Sequence, residues 1–107
     1  MRELTKENFE TEVLAEQGVV FVDYSSDGCV PCQALKPFVL ELEKKYGDQL
    51  KFTELNITKA RRLAIAQKVL GVPVMAIYRN GEKVEELVKD DATPEAIETM
   101  VKRYLNG

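Results

Sequence analysis

Six consecutive residues, Val19-Val20-Phe21-Val22-Asp23-Tyr24, carry five apolar side chains and one carboxyl. A strand with one wet face alternates apolar and polar residues. A nearly continuous apolar run instead fits a strand covered on both faces, as in a parallel sheet between helical layers. The run therefore requires helices, and the flanking sequence supplies them. Downstream, Leu35, Phe38, Val39, Leu42 and Tyr46 fall at i, i+3, i+4, i+7 and i+11, a helical stripe ending near Gly47. Upstream, Thr5 is placed to cap a helix running to about Glu16, with a narrow stripe of Phe9, Val13 and Leu14 and a stop at Gly18.

The pattern continues to the C-terminus. Leu50 to Ile57 reads as a strand, and Thr58 to Leu70 as a helix bearing Lys59, Arg61, Arg62 and Lys68 on a solvated face. Gly71-Val72-Pro73 breaks it before a strand from Val74 to Tyr78. Asn80-Gly81 signals a tight hairpin, with Lys83 to Val88 returning. Thr93-Pro94-Glu95 reads as a helix start, a cap residue followed by proline and an acid, and Ile97, Met100, Val101, Tyr104 and Leu105 form that helix's apolar face. A short strand at Arg2 to Leu4 completes the reading. Alternation of strands and helices implies parallel pairing with right-handed crossovers, and the hairpin adds an antiparallel edge. The expected class is α/β, a mixed sheet with helices on both faces. Without repeats or linkers, residues 1–107 read as one domain.

Composition then limits the chemistry. The chain has no histidine, which removes the commonest general base and metal ligand. Its net charge of −3 argues against nucleic acid as a partner, and no apolar stretch reaches the ~18 residues of a membrane helix. The N-terminal residues show no apolar signal region, so a cytoplasmic location is expected. The two cysteines, Cys29-Val30-Pro31-Cys32, supply two ligands where zinc wants four, so no metal site is expected unless two chains share one. As a structural staple, a four-residue loop stabilises by only about 2 kcal/mol on a chain-entropy basis. Reversible opening and closing is the remaining use. Cys29 lies in the strand-to-helix turn and Cys32 in the helix's first turn, where unsatisfied N–H groups favour a thiolate. Cys29 is therefore the expected nucleophile and Cys32 the resolving thiol. Asp23 interrupts the apolar run, which is costly unless its carboxyl is hydrogen-bonded or neutral. It reads either as a satisfied polar group at a strand end or as a carboxyl whose pKa burial raises towards neutrality, where it could take a proton from Cys32.

Several segments together resemble the thioredoxin family over nearly the full chain: Val22-Asp23-Tyr24, Cys29-Val30-Pro31-Cys32, Pro37, Leu55-Asn56-Ile57, Gly71-Val72-Pro73 and Asn80-Gly81-Glu82. The resemblance implies a thioredoxin fold with a central four- or five-stranded mixed sheet. It also implies a protein dithiol–disulfide oxidoreductase, mainly a reductase and electron carrier, whose only redox group is the Cys29–Cys32 disulfide, with no added cofactor. Asp23 would be its proton acceptor. Val72-Pro73 would be a cis peptide facing the cysteines, although on sequence alone Pro73 could simply start an edge strand. Gly28, Val30, Pro31, Val72 and Pro73 would form the substrate-binding surface. Disulfide-containing proteins would be the substrates, a thioredoxin reductase, ordinary or non-standard, the electron donor, and the protein a monomer.

The chain also departs from the family. Gly28 and Ser25 stand where tryptophans are usual, and Val30 replaces a glycine; the resulting Gly-Cys-Val-Pro-Cys is similar to a variant in thioredoxins of some anaerobic bacteria. Glu54 replaces the lysine that usually accompanies the buried acid. If it faces Asp23, two carboxyls share one pocket and Glu54 modulates the other's pKa. Lys89-Asp90-Asp91 replaces a family glycine and brings acidic groups near the partner strand. A scaffold that keeps its cysteines for stability, and a disulfide isomerase or oxidant, are the alternative functions.

Overall fold

A computed structural model describes residues 1–105. Five strands form one mixed sheet in the order β1-β3-β2-β4-β5: β1 Arg2–Leu4, β2 Val19–Ser25, β3 Lys51–Asn56, β4 Val74–Arg79 and β5 Glu82–Val88. The apolar run is the central strand. β2 pairs in parallel with β3 and antiparallel with β4, which is why Val20 to Tyr24 are all buried. Alternate β2 side chains enter different cores. Val20, Val22 and Tyr24 join Phe9, Val13, Leu55, Ala64 and Tyr78 on one face. Phe21 joins Val39, Leu42, Phe52, Met75, Ile97 and Met100 on the other, under helices α1 (Val30–Tyr46) and α3 (Pro94–Lys102).

The hairpin and the last helix form as their sequence indicates. Asn80 and Gly81 both take positive φ, 51° and 82°, the backbone of a two-residue hairpin turn. A side chain at Gly81 would also strike the Leu14 carbonyl, 2.2 Å from an added Cβ. Thr93 caps α3 by accepting from the Ala96 N–H at 3.2 Å.

Two expected helices are shorter than their apolar patterns. Thr5 does cap this segment, its Oγ1 accepting from the N–H groups of Glu7 and Asn8 while the Phe9 N–H donates to the Thr5 carbonyl at 3.1 Å. The regular helix, however, is confined to Glu10–Leu14, a single widened turn that stops short of Glu16. Phe9 and Val13 are the fully buried residues here, and one turn is enough to deliver both. The segment from Thr58 to Leu70 divides into a tight turn at Ile57–Lys59 and helix α2 at Arg61–Ala66. Ala60, buried with φ −150°, breaks the helical path, and Lys68 with φ 62° turns Val69 back into the core while Leu70 points outward. Among the described residues, no helix is long and apolar enough to cross a membrane.

Candidate active site

The site lies at the end of β2 where the chain enters α1. Cys29 is the N-cap residue of α1 in extended conformation, and its Sγ accepts from the Cys32 N–H at 3.2 Å. Pro31 occupies the first turn, where its missing N–H costs nothing, and that turn carries no acidic residue to oppose a thiolate. The two sulfurs are bonded at 2.09 Å, with Cα atoms 5.3 Å apart. Cys29 is half-buried and Cys32 is 5% exposed, so the pair has an accessible sulfur and a protected one. Gly28 adopts φ +75°, and an added Cβ there would meet nothing within 4 Å. Val30 is exposed beside it. The position that usually holds an indole is therefore open space.

Asp23 lies beneath the pair, 3% exposed. Among the described residues its Oδ1 has no hydrogen-bond partner. Burial pushes its carboxyl up to about 7; the nearby Lys36 ammonium opposes the rise and the Glu54 carboxylate adds to it. A cavity of about 390 Å³ joins the acid to the disulfide, with Asp23, Ser25, Cys32 and Lys36 among its lining. Asp23 and Glu54 are register partners across β2 and β3, as two carboxyls sharing a pocket would require. The Glu54 carboxylate, however, is ion-paired with the Lys36 ammonium.

Lys36 is the site residue that the sequence reading missed. Its signal was available: it follows Cys32 by four positions, hence lies on the same face of α1 one turn on. The family's strand lysine is thus exchanged for a strand glutamate facing a helix lysine. Pro37 lies within α1, which continues to Tyr46, and lines the cavity.

Val72-Pro73 is a cis peptide. It directly precedes β4, whose Val74 pairs with Tyr24, so it arrives at the end of the sheet from which the Cys29 turn departs. The Pro73 carbonyl accepts from the Lys89 N–H at 2.7 Å, whereas Val72 makes no backbone hydrogen bond among the described residues. Lys89, at the position of the family glycine, takes positive φ of 53°, and its side chain lies over Gly71. Among the described residues, no group of three or more His, Cys, Asp or Glu could hold a metal ion.

A bonded cysteine pair at a helix start, sharing a cavity with a buried acid, is the arrangement of a protein that interconverts dithiols and disulfides. Comparison with known proteins agrees. The thioredoxin family model matches residues 1–103. The chain is 57% identical over 105 residues to thioredoxin of Acetoanaerobium sticklandii, covering 98% of this chain and 100% of the relative. It is 52% identical over 103 residues to thioredoxin of Peptoclostridium acidaminophilum, covering 96% and 94%. Against thioredoxin of Bacillus subtilis it is 29% identical over 101 residues, 94% of each chain. The chain belongs to the thioredoxin family, and the protein is a thiol–disulfide oxidoreductase.

Proposed function

We propose that the protein acts mainly as a protein-disulfide reductase, with Cys29 as nucleophile, Cys32 as resolving thiol and Asp23 as proton acceptor. The Cys29 thiolate attacks one sulfur of a target disulfide, forming a mixed disulfide and expelling the target's other sulfur as a thiolate. Cys32 then gives its proton to the Asp23 carboxylate and attacks Cys29 Sγ. This closes the Cys29–Cys32 bond and releases the target's remaining sulfur as a thiolate. The target gains two electrons and the protein loses two. A second dithiol, supplied by a thioredoxin reductase of ordinary or non-standard type, restores the reduced pair.

The observation that carries this reading is the asymmetry of the pair, an accessible Cys29 capping α1 and a protected Cys32 on the cavity that holds Asp23. Substrate would approach over Gly28, Val30 and Pro31. The unengaged Val72 backbone, held by Pro73, would pair with an extended segment beside the target disulfide. Glu54 acts on Asp23 through Lys36 and by its own charge. The protein is read as a single domain, monomeric and cytoplasmic, needing no cofactor beyond its own disulfide.

Insulin reduction driven by dithiothreitol tests the reading. The protein accelerates it, Cys29→Ser abolishes the acceleration while remaining folded, and Cys32→Ser accumulates mixed disulfides. An unreactive protein points to a scaffold. A reduction potential of about −120 mV, in place of about −270 mV, points to an oxidant.

A further inference from the structure

Lys59, Arg61, Arg62 and Lys68 are all exposed along α2 and its flanks, with Lys6 beside them. None of these five cations makes an ion pair among the described residues; Arg79, Lys89 and Lys102 elsewhere also lack one, whereas Arg2, Lys36, Lys44, Lys45, Lys51, Lys83 and Arg103 each have a carboxylate partner. In a chain of net charge −3, four of these five, Lys6, Lys59, Arg61 and Arg62, gather unpaired positive charge in one place. It is also shaped. Lys6, Lys59, Arg61 and Arg62 line a concavity of about 360 Å³. A second groove of about 570 Å³ shares Arg61 and extends to Asp27, two residues before Cys29. Ile65 and Leu70 on its wall are 64% and 84% exposed. The acids near this surface offset part of its charge but form no ion pair with its cations among the described residues. The Asp27 carboxylate is engaged by the Asn56 amide at 2.7 Å, and Glu3 and Glu7, which share a neighbouring hollow with Lys6 and Lys59, pair with neither.

We infer that the α2 side of the site is a docking surface for protein partners whose disulfide is flanked by an acidic segment carrying an apolar side chain. The inference rests on the thiol–disulfide exchange reading and adds the charge of the substrate to it. A partner that brings its disulfide to Cys29 must cover the adjoining surface. Carboxylates on that partner meet the cations of α2, and its apolar residue meets Ile65 and Leu70. Attraction of this kind acts mainly on the encounter rate and weakens with salt. Nucleic acid is the less fitting occupant, because the patch is small, the chain is acidic overall and the groove reaches Ser26 and Asp27 in the segment that precedes Cys29.

The test compares reduced protein with its Arg61→Glu/Arg62→Glu variant on three probes. These are neutral 2-hydroxyethyl disulfide, a disulfide peptide with an acidic and leucine-containing flank, and the same peptide with amides in place of its acids. At low salt the unmodified protein should reduce the acidic peptide about tenfold faster than the amide peptide. The double variant, or 0.5 M salt, should remove that advantage, while the rate with 2-hydroxyethyl disulfide stays within twofold. Equal rates for both peptides, or an advantage that survives the double variant, overturns the inference. So does a duplex oligonucleotide that binds the unmodified protein and not the variant in the absence of any peptide discrimination. If the double variant fails to react with the neutral probe, Arg61→Gln/Arg62→Gln replaces it. Failure of the unmodified protein on the neutral probe would refute disulfide exchange itself, a separate result.

Discussion

Asp23 and Tyr24 are neighbours on the central strand, 3% and 0% exposed, and their side chains enter opposite faces of the sheet. Each puts a polar group into a core, yet the two environments differ. The Tyr24 hydroxyl lies 2.6 Å from that of Tyr78, which donates to Gln67 Oε1 at 2.7 Å, a completed chain of hydrogen bonds. Asp23 leaves Oδ1 without a partner among the described residues, over a cavity that reaches Cys32. A satisfied buried group specifies structure, and an unsatisfied one holds free energy available for chemistry.

The sharpest way to break this comparison is to neutralise the acid. Asp23→Asn should slow exchange at pH 7 about 10²-fold, the usual scale for a lost proton acceptor. Its effect on stability depends on pH in a definite direction. The folded carboxyl is raised from 3.8 to about 7, so folding favours the protonated form. Below pH 4 ionisation adds no penalty. As pH rises through the interval between these values the folded state loses stability, by about 4 kcal/mol once above pH 7. Denaturant melts at pH 4 and pH 8 should therefore show Asp23→Asn gaining on the unmodified protein by roughly that amount. Tyr24→Phe should do the reverse: exchange within twofold, and a loss of about 1–2 kcal/mol for the broken buried hydrogen bond. An exchange defect in Tyr24→Phe larger than that in Asp23→Asn would erase the distinction.

The smallest effects probe what surrounds the acid. Lys36→Met removes the cation that opposes burial and should move the Asp23 midpoint up. Glu54→Gln frees Lys36 and should move it down. The corresponding changes in the rate of Cys32 attack should be about threefold and smaller at high salt. A Glu54→Gln protein that titrates identically to the unmodified one removes Glu54 from the site.

Much of this architecture was legible in the sequence because local and global preferences agree there. The apolar β2 run, the Asn80-Gly81 turn and the Thr93-Pro94 helix start each admit few conformations, and each appears in the structure. The Cys29–Cys32 pair was legible for the same reason, as a short motif between a strand and a helix. The cis bond at Pro73 depended on family resemblance, since X-Pro sequence alone seldom decides the isomer. The first helix and α2 were overread because apolar spacing records which side chains go inside, not how much backbone must coil to bring them there. Lys36 was missed because a lysine on a helix defaults to solvent. Its role emerges only when β3 delivers Glu54 opposite Asp23, a long-range placement.

The central claim is that Asp23 is a buried acid poised to accept a proton from Cys32. Its most direct test is the pH titration of the Asp23 side-chain carboxyl carbon, followed by NMR in the oxidised protein. The account predicts a single transition with a midpoint at about 7, absent in Asp23→Asn. A midpoint in the ordinary carboxylate range, near 3.8, would contradict it.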